Sequence, residues 1–235
     1  GEWRRVRSRM LSLDAAGKAQ GRHYLLLGEA DMELGYSSEA ERHLGRASGE
    51  PRAHYLLGRL YYSRGRLAEA ASEFRTVLRS DPNNYSAHLH LGWLSYRNGN
   101  RKAALEHYGK AVRLNPGDPL SVLSLAGLLE EMNKKDRAID TYRDALPLPG
   151  IPKEEKKKAY NSLSRLLVEA KRFGEAEQII RNGLDEFPTA GGLYYQWGVM
   201  LLSEGRKEAA LEKLRRAAAD PVWKEPALRR IHTIR

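Results

Sequence analysis

The chain contains no cysteine, so neither a disulfide nor a thiolate-bound metal can brace it. Aromatic residues make up 8% of it, against 30% charged residues. That balance describes a chain with much solvated helix surface. No stretch approaches the roughly 18 apolar residues that a membrane-spanning helix needs, so this region reads as soluble. The chain opens on Gly1 rather than Met, which reads as a processed, truncated or tagged start. A signal peptide or lipid anchor lost from that end would leave no trace, so the compartment, cytoplasmic or periplasmic, stays open.

Catalytic patterns are also lacking. The seven histidines are His23, His43, His54, His88, His90, His107 and His232. None lies in a His-Glu-x-x-His pattern. His88 and His90 are two apart, which puts them on different faces of a helix. No phosphate loop, nucleophile elbow or dinucleotide fingerprint is present. The acidic pairs Glu130-Glu131 and Glu154-Glu155 read as solvated helix surface. The expectation is a chain with no enzyme activity, metal, cofactor or small-molecule substrate.

Charge is present in excess of one sign. The formal net charge is +10. Residues 51–118 carry 11 Lys/Arg against 5 Asp/Glu, and residues 191–235 carry 9 against 5. The surplus is therefore local. It could attract an acidic protein, nucleic acid or anionic lipid, or it could simply keep the surface soluble.

The main positive signal is an internal period. Ala40, Ala70, Ala104, Ala138, Ala176 and Ala210 recur at gaps of 30, 34, 34, 38 and 34 residues. Gly28, Gly58, Gly92 and Gly198 each lie 12 residues before the matching alanine. Pro82, Pro116 and Pro188 each lie 12 residues after one. The best-formed unit reads Leu57, Gly58, Tyr61, Ala70, Phe74, Pro82; the next reads Leu91, Gly92, Ala104, Tyr108, Ala111, Pro116. In this pattern the sequence resembles the tetratricopeptide repeat (TPR) family, and it does so from about residue 21 to about residue 224.

The resemblance implies an all-α fold: a right-handed superhelical solenoid of about six TPR helix-turn-helix hairpins, with capping helices at both ends. The residue types fit that expectation. Gly58 and Ala70 are small enough for two helices to approach closely, and Tyr61 and Phe74 fill the space around them. Gly35, Gly65, Gly99 and Gly205 stand where each first helix must stop. A lone hairpin cannot bury its apolar face, so stacking is required.

The expected organisation is an N-terminal capping helix over 1–20 and a short first repeat over 21–50. Repeats two and three follow over 51–84 and 85–118. Repeat four spans 119–152 and includes a Pro-rich connection, Leu146 to Pro152, that suggests a bend between four N-terminal and two C-terminal repeats. Repeats five and six occupy 153–190 and 191–224, and a C-terminal cap covers 225–235. Several slots depart from the family pattern: Asp31 or Met32 replaces the aromatic of repeat one, Ala126 and Leu129 stand in repeat four, and Ser164, Leu167 and Ile180 in repeat five. The N-terminal helix, with Trp3, Val6, Met10, Leu11 and Leu13 beside Arg4, Arg5, Arg7 and Arg9, is read as a cap, with contact to a membrane surface as the second reading.

In the family, first helices line the inner face of the stack. The stripe opposite the hairpin-packing positions is Arg52, Tyr55, Arg59, Tyr62 in repeat two and Ser86, Leu89, Trp93, Tyr96 in repeat three. Repeat four contributes Leu120 and Leu123. Tyr, Trp and Arg are the types enriched at interface hot spots. The candidate binding residues are therefore Arg52, Tyr55, Arg59, Tyr62, Leu89, Trp93, Tyr96 and Leu123. They are not needed for hairpin packing and are expected to hold an amphipathic helix or extended peptide, with acidic residues facing Arg52 and Arg59; the alternative is that a tight superhelix buries them against their neighbours or against the N-terminal helix. The Lys/Asn clamp with which some repeats of this family hold a C-terminal carboxylate is missing: its slots carry Leu25, Glu29, Tyr55, Arg59, His90, Leu120 and Ser124.

Three functional readings follow. The first is a protein-interaction scaffold or adaptor, in assembly of a larger complex. The second is binding of nucleic acid or anionic lipid by the basic surface, though helical repeats that read RNA use polar pairs in every repeat. The third is a module that self-associates into a homo-oligomer. The Arg- and Ala-rich repeats look bacterial.

Overall fold

The computed structural model describes residues 1–234, and the last residue, Arg235, of the expected C-terminal cap lies outside the described residues. Every regular element among the described residues is an α-helix. The chain divides into two compact units, Gly1–Asn115 and Pro116–Arg235.

The first unit begins with α1 (Glu2–Ala15) and continues with three hairpins: α2 (Gly21–Glu33) with α3 (Ser37–Arg46), α4 (Pro51–Ser63) with α5 (Leu67–Ser80), and α6 (Tyr85–Arg97) with α7 (Arg101–Leu114). The second contains α8 (Pro119–Glu131) with α9 (Lys135–Ala145), α10 (Lys153–Glu169) with α11 (Phe173–Glu186), and α12 (Gly191–Ser203) with α13 (Lys207–Ala217), followed by α14 (Lys224–His232). Within each hairpin the two helices pack on each other, and each second helix also meets the next hairpin of its unit. The Pro-rich stretch 146–152 lies inside the second unit, where α9 and α10 pack together. The division between units falls between the third and fourth hairpins.

Start and stop signals are local. Asn84, Asn100 and Asp118 accept from the backbone N–H three residues on and so cap α6, α7 and α8. Pro51 and Pro119 stand at first helical positions, where no N–H is missed. Gly35, Gly65, Gly99 and Gly205 end their helices at φ of +75° to +80°. Asn133 and Lys171 hold the same turn in the fourth and fifth hairpins at φ of 56° and 57°. For lysine that conformation costs about 1 kcal/mol.

The core follows the repeat. Ala40, Ala70, Ala104, Ala138, Ala176 and Ala210 are fully buried, as is Phe74. A Cβ on Gly58 would lie 2.8 Å from the Phe74 ring, and one on Gly92 would run into the Tyr108 ring. Those helices cross at a distance only glycine allows. Phe74 then joins Val77, Leu91 and Leu94 in one cluster, while Leu44, Leu56 and Leu57 form another.

The first hairpin solves its missing aromatic differently. Asp31 is fully buried in α2 and pairs with Arg7 of α1 and His43 of α3, both at 2.6 Å. A buried carboxylate is tolerated only when paired in this way. Asp14 of α1 accepts from the Tyr24 hydroxyl at 2.6 Å and pairs with Arg46. Arg46 in turn lies 3.9 Å from the Tyr24 ring centroid. Polar contacts thus attach α1 to the hairpin, and of its apolar stripe only Met10 is buried.

Candidate functional site

On α4 the positions 52, 55, 59 and 62 advance by three, four and three residues, which keeps them on one side of the helix. The same register on α6 gives 86, 89, 93 and 96. The two stripes meet in an aromatic cluster. Tyr62 and Trp93 have centroids 6.3 Å apart, Tyr55 lies edge-on to Phe74 at 5.9 Å, and Tyr55 is edge-on to His90 at 5.6 Å.

His90 is the centre of this cluster and was not a candidate from the sequence. Its ring stacks on Phe74 at 4.6 Å and meets Trp93 edge-on at 5.0 Å. Its Nδ1–H donates to the Ser86 carbonyl at 2.7 Å. Burial, followed by the positive charge of Arg59, pushes the imidazole below its ordinary range. The neutral ring thus keeps a lone pair on Nε2. Its signal in the sequence was position alone, next to Leu89 in the stripe.

The candidate residues divide into distinct groups. Leu89, expected on the contact face, is 5% exposed and belongs to the core. Tyr55 packs against both hydrophobic clusters of the unit and Tyr62 against one of them, so part of the stripe is engaged with neighbouring hairpins. The cause is that long side chains of α4 and α6 reach each other, Tyr55 and Tyr62 against His90 and Trp93. Arg52 forms an ion pair with Glu29 of α2, so its counter-charge comes from within the chain. Arg59 is exposed and makes no ion pair among the described residues. Tyr62 and Trp93 are half-buried, and Tyr96 is 38% exposed. Leu123 is half-buried on α8 and belongs to the second unit. An open cleft of about 280 Å³ lies at the N-terminal ends of α4 and α6, between Arg52, Tyr55, Asp81, Asn84 and Ser86.

The corresponding stripe of the second unit is more committed to internal contacts. Arg165 pairs with both Glu130 and Glu169. Asn161 faces a small cavity of about 110 Å³ lined by Gly192, Asp220 and Trp223, and its Oδ1 has no hydrogen-bond partner. No described helix is long and apolar enough to cross a membrane.

The hairpin geometry and the recurring glycine–aromatic contact match one sequence family. The tetratricopeptide repeat profile matches residues 25–85, 55–119, 89–155 and 161–222. The chain belongs to the tetratricopeptide repeat family. Solved structures agree on the fold. YrrB, described as a TPR protein with an unusual peptide-binding site, superposes with a TM-score of 0.70 at 19% identity, over 80% of this chain and 95% of that one. The C-terminal part of a TPR repeat-containing protein from Cytophaga hutchinsonii gives a TM-score of 0.76 at 13% identity, over 97% and 93%. MamA gives 0.63 at 21% identity, over 72% and 90%. No curated protein sequence matches the chain significantly. TPR proteins are in general interaction modules rather than enzymes, which makes a protein-interaction scaffold the functional class of this chain.

Proposed function

We propose that the chain holds a segment of a partner protein, an amphipathic helix or an extended peptide, on the first-helix face of its N-terminal unit, as an adaptor in assembly of a larger complex. Arg59, Tyr62, Trp93 and Tyr96 are the gripping side chains. Arg52 and Tyr55 shape the floor and the cleft beside it. The observation that carries this reading is the exposed Arg59, without a counter-charge, beside the half-buried Tyr62–Trp93 pair. A guanidinium that makes no internal pair, next to aromatic rings half open to solvent, is the composition of an interface hot spot. Acidic residues on the partner would complete Arg59.

The test is selection of peptides against the purified protein, followed by affinity measurement with a Tyr62→Ala/Trp93→Ala variant and an Arg59→Glu variant. The expected result is a loss of roughly 2–4 kcal/mol of binding for the double variant, measured at a temperature where its helicity equals that of the wild type. Arg59→Glu should in addition reverse the preference for acidic peptides. Unchanged affinity in a folded double variant would place the binding surface elsewhere.

A further inference from the structure

The opposite side of the first unit, formed by the second helices, carries a separate cluster of charge. His88 of α6 and His107 of α7 face each other with Nδ1 atoms 3.1 Å apart. The Nε2–H of His88 donates to the Pro82 carbonyl at 3.1 Å, so its Nδ1 is the acceptor of the pair. Around them stand Arg75 of α5 and Lys110 and Arg113 of α7. The carboxylate facing the pair is Glu106. Arg75, Lys110 and Arg113 are exposed and make no ion pair among the described residues.

The second unit shows how the same slots behave when they are internally satisfied. In the repeat register, Arg181 answers to Arg75, Lys213 to His107 and Arg216 to Lys110. Arg181 and Lys213 lie 5.0 Å and 4.6 Å from the Trp197 ring centroid, and Arg216 lies 5.6 Å from that of Tyr194. Each also has a carboxylate: Glu177 for Arg181, and Glu212 for both Lys213 and Arg216. The first unit has Ala71 where the second has Glu177, and Leu91 where it has Trp197. Arg75 therefore lacks both kinds of internal partner, while Glu106 keeps the slot of Glu212 but forms no ion pair with Lys110 or Arg113 among the described residues.

We propose that the outer surface of α5 and α7, with Arg75, Lys110 and Arg113 around the His88–His107 pair, is a second docking surface that takes an acidic, Asp/Glu-rich segment of a partner protein. Charge complementarity identifies the occupant: three exposed cations without ion pairs surround the histidine pair against the single carboxylate Glu106, and further carboxylates complete them. A single-stranded nucleic acid would need stacking rings, and α5 and α7 expose none. A membrane would need inserted apolar side chains, and on these two helices only Leu114 is a large exposed one. The histidines add a pH response. Burial first holds both imidazoles below their ordinary range; Lys110 and Arg113 add to it at His88, and His88, Lys110 and Arg75 at His107, against the opposing pull of the Pro82 carbonyl on His88 and of Glu106 on both. Carboxylates arriving on this surface offset those cations and let a proton bind, so affinity rises as the pH falls.

Each of α5 and α7 has 14 residues. Such helices are about 21 Å long, a span that about six extended residues cover. The probe is therefore fluorescein-labelled hexaglutamate, titrated by anisotropy at low salt, with hexaglutamine, a hexathymidylate oligonucleotide and phosphatidylserine-containing vesicles as comparisons. Hexaglutamate should bind tightest of the four, and roughly threefold to tenfold tighter at pH 6 than at pH 8. Arg75→Gln/Lys110→Gln/Arg113→Gln, checked for unchanged helicity, should weaken it by about tenfold or more. His107→Gln should keep binding at pH 8 and lose most of the pH response. The proposal is overturned if hexaglutamine binds as well, if the oligonucleotide or vesicles bind more tightly, or if the folded triple variant binds unchanged. Retention of the pH response in His107→Gln would overturn the role of the histidine pair.

Discussion

The two units share a hairpin plan but assign their charged residues differently. In the first, Arg59, Arg75, Lys110 and Arg113 are exposed without internal counter-charges. In the second, Arg165 is shared between Glu130 and Glu169, Arg181 pairs with Glu177, and Lys213 and Arg216 pair with Glu212. The fold is indifferent to this choice, since the buried alanines and the helix crossings recur in both units. The lesson is that in a repeat protein the scaffold residues show where side chains will be presented. The carboxylates between them show which presentations remain open to a partner.

The comparison can be broken most severely at Asp31, whose ionic contacts attach α1 to the first unit. Asp31→Ala leaves Arg7 and His43 without their shared partner, and should cost about 3 kcal/mol in urea unfolding. Cysteine-free and tryptophan-bearing α1 offers a direct check, since Trp3 fluorescence should report its release. A smaller loss is expected from Gly92→Ala, where the new Cβ meets the Tyr108 ring. Overpacking of this kind costs about 1–3 kcal/mol, with helix propensity returning part of it. Gly127→Ala in the second unit, where the nearest atom would be 3.8 Å away, should instead stabilise slightly. Lys171→Gly should stabilise the second unit by up to about 1 kcal/mol, because the left-handed turn then carries no side chain.

The smallest predicted effect depends on pH. His88, His90 and His107 are all held below the ordinary imidazole range, chiefly by burial. Near and below about pH 6.5 the unfolded chain binds more protons at these sites than the folded one. Their contribution to stability is therefore full above that pH and is lost as the pH falls through their folded pKa values. The only histidine of the second unit is His232, which is exposed. Hydrogen exchange at pH 5.5 against pH 7.5, corrected for intrinsic rates, should show protection falling in α4 to α7 and holding in α10 to α13.

Much of the fold was legible because the residues that make it are dictated by short-range sterics. Gly58 opposite Phe74 and Gly65 at the turn have one structural use each, and both recur at the repeat period. The candidate site was less legible. The register placed Tyr62, Trp93 and Arg59 on one face, but it did not show that Leu89 sinks into the core or that Tyr55 bridges two clusters. Those outcomes depend on how closely neighbouring hairpins stack, a distance that the sequence pattern does not contain. The Arg52–Glu29 pair and the setting of His90 were invisible for the same reason, since both are contacts between hairpins. Asp31 was visible as a departure from the repeat, yet its partners Arg7 and His43 sit on two other helices.

The most direct test of the account uses a photo-reactive amino acid placed either at position 59 on α4 or at position 165 on α10. These are the same slot of the first-helix stripe, exposed and unpaired in one unit and enclosed in ion pairs in the other. With a selected acidic peptide bound, the account predicts crosslinking from position 59 and little from position 165. Efficient crosslinking from 165, with none from 59, would contradict it.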